Sequence, residues 1–413
     1  VSTAPASVAD SLRGVRAVVV NWRDPDHSLA GGSEVYAWQF ARALAEGGAD
    51  VEFLTAREPG RRRTEERDGI RIRRAGGALG FYPVTLLRLL RRRRRTDIVI
   101  DPSCGLPSFS PLVLRRRTPV VLVMHHVHQA QFDTHFPAPV AAFGRWLERV
   151  AMRRVYRRRR VVAVSPSTLG EMRRQLGWTG DIGLLANGSD VPGHEPQTAF
   201  DADRIVVLGR LVAHKRVDLV IRALFELRVR PSTSARRLRL DIVGQGPERE
   251  RLERLTADLG LDDRVTFHGY VDDETKGELL TGAAVHVCAS DAEGWGQAVI
   301  DAAAHGVPTL ARDVPGLRDS IRDGVTGWLV PDAPGDPEEV RRRLSDALAA
   351  SVTTDLAPAE RAARADACRA WAQQFDWSRM REQARALATE EIVGHAGALP
   401  DPHHLPRDTR VAV

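Results

Sequence analysis

The sequence predicts an α/β chain of two Rossmann-like domains facing each other across a cleft, and three observations carry that prediction. Its 413 residues exceed what one hydrophobic core usually serves, so two domains are expected. Near-continuous Val, Ile and Leu runs alternate with helical patterns, which is how a parallel sheet covered on both faces reads. The alternation breaks once, at the polar, Pro-bearing stretch NGSDVPGHEPQTAFDADR, and then starts again.

The first series places strands at residues 15–22 (VRAVVVNW), 51–56 (VEFLTA), 97–100, 120–124, 161–164 and 183–185. Between the first two lies a helix from Ser33 to about Glu46, with Ser33 as the expected N-cap and Glu34 in the first turn. The second series has strands at 204–208, 238–243, 265–267, 285–289 and 308–311, with helices over 217–228, 248–259 and 298–305. The domains are expected at 1–190 and 205–374, joined by a linker at 191–204. Past Val330 come a stretch rich in Asp, Pro and Gly, a helix over 338–350, an amphipathic helix over 375–392 and an aperiodic tail at 393–413. Ligands of such sheets sit beyond the carboxyl ends of the strands, so chemistry is expected in the cleft.

Composition narrows the function. Hydrophobic residues at 43% and charged residues at 28% describe a globular chain and exclude bulk disorder. Cys104, Cys288 and Cys368 are odd in number and form no CxxC pair, which excludes a disulfide framework and a zinc ribbon and predicts a reducing compartment. No apolar run reaches the roughly 18 residues of a spanning helix, and the opening VSTAPASVAD lacks a signal-peptide layout, so a cytoplasmic location is expected. The net charge of +6 rests on 58 Arg against two Lys, Lys215 and Lys276. That skew reads as genome composition, and without stacking aromatics it predicts no nucleic-acid partner.

Three segments carry candidate chemistry. In AGGSEVY, Gly31 and Gly32 permit close backbone approach before a helix whose free amides and dipole favour an anion such as phosphate; a plain turn before a capped helix is the competing reading. The spacing is neither GxGxxG nor GxxxxGK[ST], so neither a hydride-transfer cofactor nor a P-loop nucleotide is indicated. In LGRLVAHKRVD, a strand delivers Gly209 and Arg210 into a loop, with Lys215 before the next helix. A lysine in a chain that otherwise uses arginine suggests that a compact point charge is needed there. In CASDAEGWGQAVIDAAAHG, Glu293 lies in a turn with Gly294, Trp295 and Gly296, and Asp301 lies inside the following helix. The glycines let amides face an anion while Glu293 accepts from sugar hydroxyls. For the last two segments a solvated basic turn and an ordinary capped helix are the competing readings.

Together with AVSPSTLGEMRR, LLANGSD, VGQGPERERLE and VTFHGYV, in this order over about residues 15–390, these segments resemble glycosyltransferase family 4, whose members are retaining, nucleotide-sugar-dependent enzymes of the GT-B fold. The resemblance implies that Arg210 and Lys215 bind the donor diphosphate, that Glu293 contacts the transferred sugar and that Asp301 contacts the ribose. It implies donor contacts at Gly31, Gly32, Gly209, Val271 and the amides of Gly294, Trp295 and Gly296. It also implies a histidine against the donor sugar, which VVLVMHHVHQ supplies as His125. The second acidic position is usually Glu; Asp301 is one methylene shorter, so direct ribose contact weakens or passes through water. The resemblance further implies that helix 375–392 crosses back to pack on the first domain through Phe375, Trp377, Met380 and Ala384.

No metal and no cofactor are expected beyond a UDP- or GDP-sugar co-substrate. His125, His126, His128 and His135 match no ligand spacing, and Asp24-Pro25-Asp26 follows the first strand of a two-domain chain, where diphosphate charge is met by Arg210, Lys215 and amides. Arg-rich clusters at 61–63, 91–95, 115–117 and 157–160 fall in the first domain, the largest flanked by Leu86, Leu87, Leu89 and Leu90. Such a stretch suits peripheral contact with an anionic membrane, and a solvated face explains it equally well. The expected function is transfer of a hexosyl group, with retention, to a hydroxyl acceptor: a glycolipid, a polysaccharide intermediate or a small metabolite. Competing readings are an epimerase or phosphorylase of the same fold, distinguished by products, and a silent carbohydrate- or membrane-binding protein.

Overall fold

The computed structural model describes residues 11–396 except 29, 104, 130–131, 133–136, 193–198, 231–236 and 354–356. Cys104, His135, the first ten residues and most of the expected tail lie outside the described residues. Cys288 and Cys368 are free and buried. No helix among the described residues is long and apolar enough to cross a membrane.

The first sheet has eight strands: β1 (Arg16–Val20), β2 (Asp50–Ala56), β3 (Thr64–Arg67), β4 (Ile70–Ala75), β5 (Ile98–Ser103), β6 (Val120–Met124), β7 (Arg160–Ala163) and β8 (Gly183–Leu184), in the order β3-β4-β2-β1-β5-β6-β7-β8. All neighbours are parallel except β3 and β4, a polar hairpin at the edge. The second sheet is wholly parallel and contains β9 (Asp201–Leu208), β10 (Arg239–Val243), β11 (Val265–Gly269), β12 (Ala283–Cys288), β13 (Thr309–Arg312) and β14 (Gly327–Val330), ordered β11-β10-β9-β12-β13-β14. Both sheets reverse order beside their first strand, the topological switch point at which ligands of doubly wound sheets bind.

Periodicity missed the β3–β4 hairpin because TEERDGIRIRRA is too charged to read as strand. The hairpin forms because Ile70 and Ile72 face the core while the arginines pair with neighbouring carboxylates. The sequence reading also omitted β14 and the helices Gly77–Arg92, Asp273–Thr281 and Pro358–Ala372.

Helix Trp377–Ala396 starts two residues later than expected, after a 3₁₀ turn at Gln373–Phe375, and runs four residues further. Trp377, Met380, Ala384 and Ala388 are buried in one cluster with Phe40 and Leu44 of the first lobe, and Phe375 packs against it. Trp295, Ile300 and Trp371 join the same cluster, so a single apolar core reaches both lobes. The two strands of chain that pass between lobes run side by side: Ser189 N–H donates to the Phe375 carbonyl at 2.7 Å and Trp377 N–H to the Ser189 carbonyl at 3.3 Å. A side chain at Gly188 would press into the Trp377 ring at 2.5 Å, so the crossing requires glycine there.

Candidate active site

The loops after β1, β6, β9 and β12 leave the carboxyl edges of the two sheets and meet. Helix Gly32–Glu46 follows β1, and its N-cap is Gly31 rather than Ser33. The Glu34 carboxylate accepts from Gly31 N–H at 2.8 Å and from the Ser33 hydroxyl at 2.9 Å, and pairs with Arg23 at 3.3 Å. The expected anion cradle is therefore partly filled by the chain's own carboxylate, because Glu34 satisfies a first-turn donor that would otherwise be orphaned. Gly31 and Gly32 also form a close-approach surface. A side chain at Gly31 would meet the Arg210 guanidinium at 3.3 Å, and one at Gly32 would meet Asn187 and Gln297 at 3.8 Å.

On the second lobe, Gly209 takes φ 145°, a region that favours glycine, and turns the chain from β9 toward Arg210. Lys215 closes a one-turn 3₁₀ helix, Ala213–Lys215. Its ammonium forms an ion pair with Glu293, and the Ser290 hydroxyl donates to the same carboxylate oxygen at 2.7 Å. The two residues expected to take separate parts of a donor thus hold each other. Burial works against the Lys215 charge, but the carboxylate beside it keeps the ammonium above its usual pKa.

The turn after β12 touches the first lobe directly. A side chain at Gly294 would fall on the His125 carbonyl oxygen and lie 3.4 Å from His126 Cβ. Thr168 Oγ1 donates to the His125 carbonyl at 3.1 Å and lies 3.4 Å from the Gly294 carbonyl, while Ser167 N–H donates to Asp319 at 2.8 Å. Gly296 caps helix Gln297–Ala304. The Trp295 side chain leaves the turn to pack edge-on against Phe375, ring centroids 4.9 Å apart.

Asp301 accepts from the Ser189 hydroxyl at 2.6 Å and from Gln297 Nε2 at 3.1 Å, and Gln297 Nε2 also donates to the Gly188 carbonyl at 2.7 Å. The shorter acid is therefore spanned by Ser189 of the crossing segment and by Gln297 of its own helix. Burial, followed by the neighbouring Asp301 carboxylate, raises the pKa of Asp190. Lys276 sits in the same field: burial opposes its charge, and Asp301 and its hydrogen-bonded partner Asp273 at 2.7 Å restore it. Val271 follows the edge strand β11 and packs on the small cluster of Val206, Leu280 and Ala302, the residue after Asp301.

His125 follows β6 and is buried, its ring edge-on to Tyr36 at 5.0 Å. Burial, with a smaller contribution from His128, lowers its pKa to about 3, so the ring is neutral. Its Nε2 has no hydrogen-bond partner, and neither do the buried Asn187 Oδ1 and Gln297 Oε1. An unpaired buried polar atom costs about 1–3 kcal/mol. Three of them around one interlobe space are a reason for a polar ligand to bind there. The His126 and His128 rings lie tilted against each other, centroids 3.8 Å apart, and His128 bonds Glu148 at 3.2 Å. No group of three or more His, Cys, Asp or Glu among the described residues could hold a metal ion. Asp24 and Asp26 are tied to Arg74 at 2.5 and 3.1 Å, and Asp26 also to Arg67 at 2.5 Å.

Sequence reasoning gave no role to Asn187, Ser189, Gln297 or Thr168. The segments LLANGSD and AVSPSTLGEMRR contain three of them, and only the fold shows that these segments line the interlobe space.

Two family models match consecutive parts of the chain: Glycosyltransferase Family 4 over residues 30–191 and Glycosyl transferases group 1 over residues 195–365. The chain is 28% identical to alpha-D-kanosaminyltransferase of Streptomyces kanamyceticus, over 63% of this chain and 73% of that one. It is also 28% identical to the GDP-mannose-dependent alpha-(1-6)-phosphatidylinositol monomannoside mannosyltransferase of Mycolicibacterium smegmatis, over 77% and 86%. Sucrose-phosphate synthase from Thermosynechococcus elongatus superposes with a TM-score of 0.74 at 22% identity, covering 92% of this chain and 100% of that one.

Proposed function

The chain belongs to glycosyltransferase family 4 and is a glycosyltransferase of GT-B fold that uses a nucleotide-sugar donor, and from that premise we propose that it moves a hexosyl group from a UDP- or GDP-sugar to a hydroxyl acceptor with retention at the anomeric carbon. The observation that carries the reading is the convergence of Arg210, the Lys215–Glu293 pair and the amide-bearing turn Gly294–Gly296 on the first lobe's Gly31 and His125. Two cations and a helix start at one point suit a departing diphosphate, whose charge grows in the transition state.

In this reading Lys215 is shared: Glu293 holds the ammonium in place, and the diphosphate recruits its remaining donors. Glu293 then has one carboxylate oxygen left for a sugar hydroxyl. Neutral His125 presents its unpartnered Nε2 to the donor sugar, and Asp301, spanned by Ser189 and Gln297, reaches the ribose through those groups or water. Gly209 and the amides of Trp295 and Gly296 give the phosphates room and donors, and Val271 offers its backbone to the base. No metal is required, since two cations oppose the diphosphate and the nearest Asp-rich motif is consumed by Arg67 and Arg74.

A melting panel of UDP- and GDP-sugars tests this. A donor at about 100 times its Kd stabilises by about 2.7 kcal/mol, and Arg210→Ala removes most of that shift. Incubation of the stabilising donor with hydroxyl acceptors, in chelator, must then give an α-glycoside from an α-linked donor by NMR. No stabilisation by any nucleotide sugar, an inverted product or loss of activity in chelator overturns the corresponding part.

A further inference from the structure

Three arginine runs of the first lobe, at 91–95, 115–117 and 157–160, lead directly into β5, β6 and β7. These strands are neighbours and parallel, so their first residues lie side by side on one edge of the sheet. Contact between the runs is direct: Arg159 donates to the carbonyls of Arg116 and Thr118 at 3.2 and 3.0 Å. Twelve guanidiniums therefore share one edge. Without these twelve, 48 basic residues face 54 acidic ones in the rest of the chain, so this edge accounts for more than the whole net charge of +6. The excess that composition made look like a general arginine bias is concentrated in one place.

Little of it is neutralised internally. Arg92 pairs with Glu52 at 2.9 Å, and Arg160 reaches Glu390 and Glu391 at 3.6 and 3.9 Å. The other arginines of the 91–95 and 115–117 runs, with Arg157 and Arg158, are exposed and form no ion pair among the described residues. Like charges crowded within a Debye length of about 10 Å repel one another, and an anionic partner relieves that cost. An open cavity of about 560 Å³ lies at one end of the edge, lined by Arg91 to Arg95, Arg16 and Arg71 and also by Asp50 and Glu52, which take up the charges of Arg71 and Arg92.

We propose that this edge docks on an anionic phospholipid bilayer. Charge complementarity requires a polyanion, and the apolar residues around the arginines select the bilayer among polyanions. Leu87, Leu90 and Leu112 are 46%, 40% and 66% exposed, whereas none of the three runs contains an aromatic residue on which a base could stack. Leu86 and Leu89 turn away from solvent, so the helix Gly77–Arg92 shows only part of its leucine content. The site residues Gly31 and His125 follow the opposite ends of β1 and β6, about 16 Å away for five-residue strands. The docked protein therefore holds its cleft clear of the lipid surface.

The test is flotation of the full chain with vesicles of phosphatidylcholine alone or with 30% phosphatidylglycerol, over a salt series. Expected is binding to the anionic vesicles only, falling steeply with salt. Each basic residue near an anionic surface contributes on the order of a fivefold change in partition. Arg94→Glu with Arg116→Glu should therefore weaken binding on the order of 25-fold or more, with Arg94→Gln with Arg116→Gln as a milder pair. Arg237→Glu with Arg254→Glu, an equal charge change on the second lobe, should leave binding within about twofold, and donor turnover should be unchanged in all three. Leu112→Ser should weaken the binding that survives high salt. Equal binding to neutral vesicles, equal loss in the second-lobe control, or tighter binding to polyuridylate or inorganic polyphosphate than to vesicles would overturn the proposal.

Discussion

Replacing Lys215 with methionine probes the reaction and the architecture together, because its ammonium is the partner of Glu293. Breaking an exposed pair costs about 0–1 kcal/mol and breaking a buried one about 3–5 kcal/mol. The side chains here are 20% and 14% exposed, and Ser290 still donates to the stranded carboxylate at 2.7 Å, so about 2 kcal/mol is expected. That corresponds to a fall of roughly 4–8 °C in melting temperature for a domain of this size. Glu293→Gln removes the charge and keeps the shape, and the double substitution should be less destabilising than the two singles summed, by about 1 kcal/mol or more. Because Lys215 is held above its usual value of 10.5, the stabilisation is complete below that pH and disappears as pH rises through the higher folded value. Loss of a charge-assisted diphosphate contact should lower kcat/KM by roughly ten- to a hundredfold. The assay pairs thermal melts at pH 7.5 with initial rates under limiting donor. Additive stability effects, within about 0.3 kcal/mol, would show that the pair does not form, and a kcat/KM within about threefold of wild type would remove Lys215 from the diphosphate site.

Acid should destabilise the fold through buried histidines. His125 and His286 are both buried with pKa lowered to about 3 from 6.5. The unfolded chain takes up their protons first, so stability is complete above about pH 6.5 and falls toward pH 3, by about 1.4 kcal/mol per pH unit for each histidine. Melts between pH 7.5 and 5 should show a shallower fall for His286→Asn, and an unchanged slope would mean that His286 is protonated in the folded state. Gly294→Ala places a methyl group on the His125 carbonyl and should push the lobes apart, reducing kcat/KM on the order of a hundredfold while increasing the radius of gyration in solution scattering. Wild-type rates in that variant would show that the Gly294–His125 contact is absent from the active form.

The hydrophobic runs determined the parallel strands, because a strand buried on both faces must be largely apolar, as β6 (VVLVM) is throughout. The ordered segments around Gly31, Arg210 and Glu293 were legible as chemistry, because phosphate chemistry limits which residues can follow a strand. The edge hairpin β3–β4 was not legible. Its arginines are satisfied by Asp24, Asp26, Asp50 and Glu52, which lie on other strands and loops. Only the tertiary structure decided that Lys215 and Glu293, 78 residues apart, are one ion pair, that Glu34 fills its own helix start, and that Ser189 and Gln297 span the short Asp301. It also decided that three arginine runs form one edge, since strand order sets which turns are neighbours. A sequence records which charges exist; their partners are fixed by distances across the fold, and Coulomb energy depends on those distances.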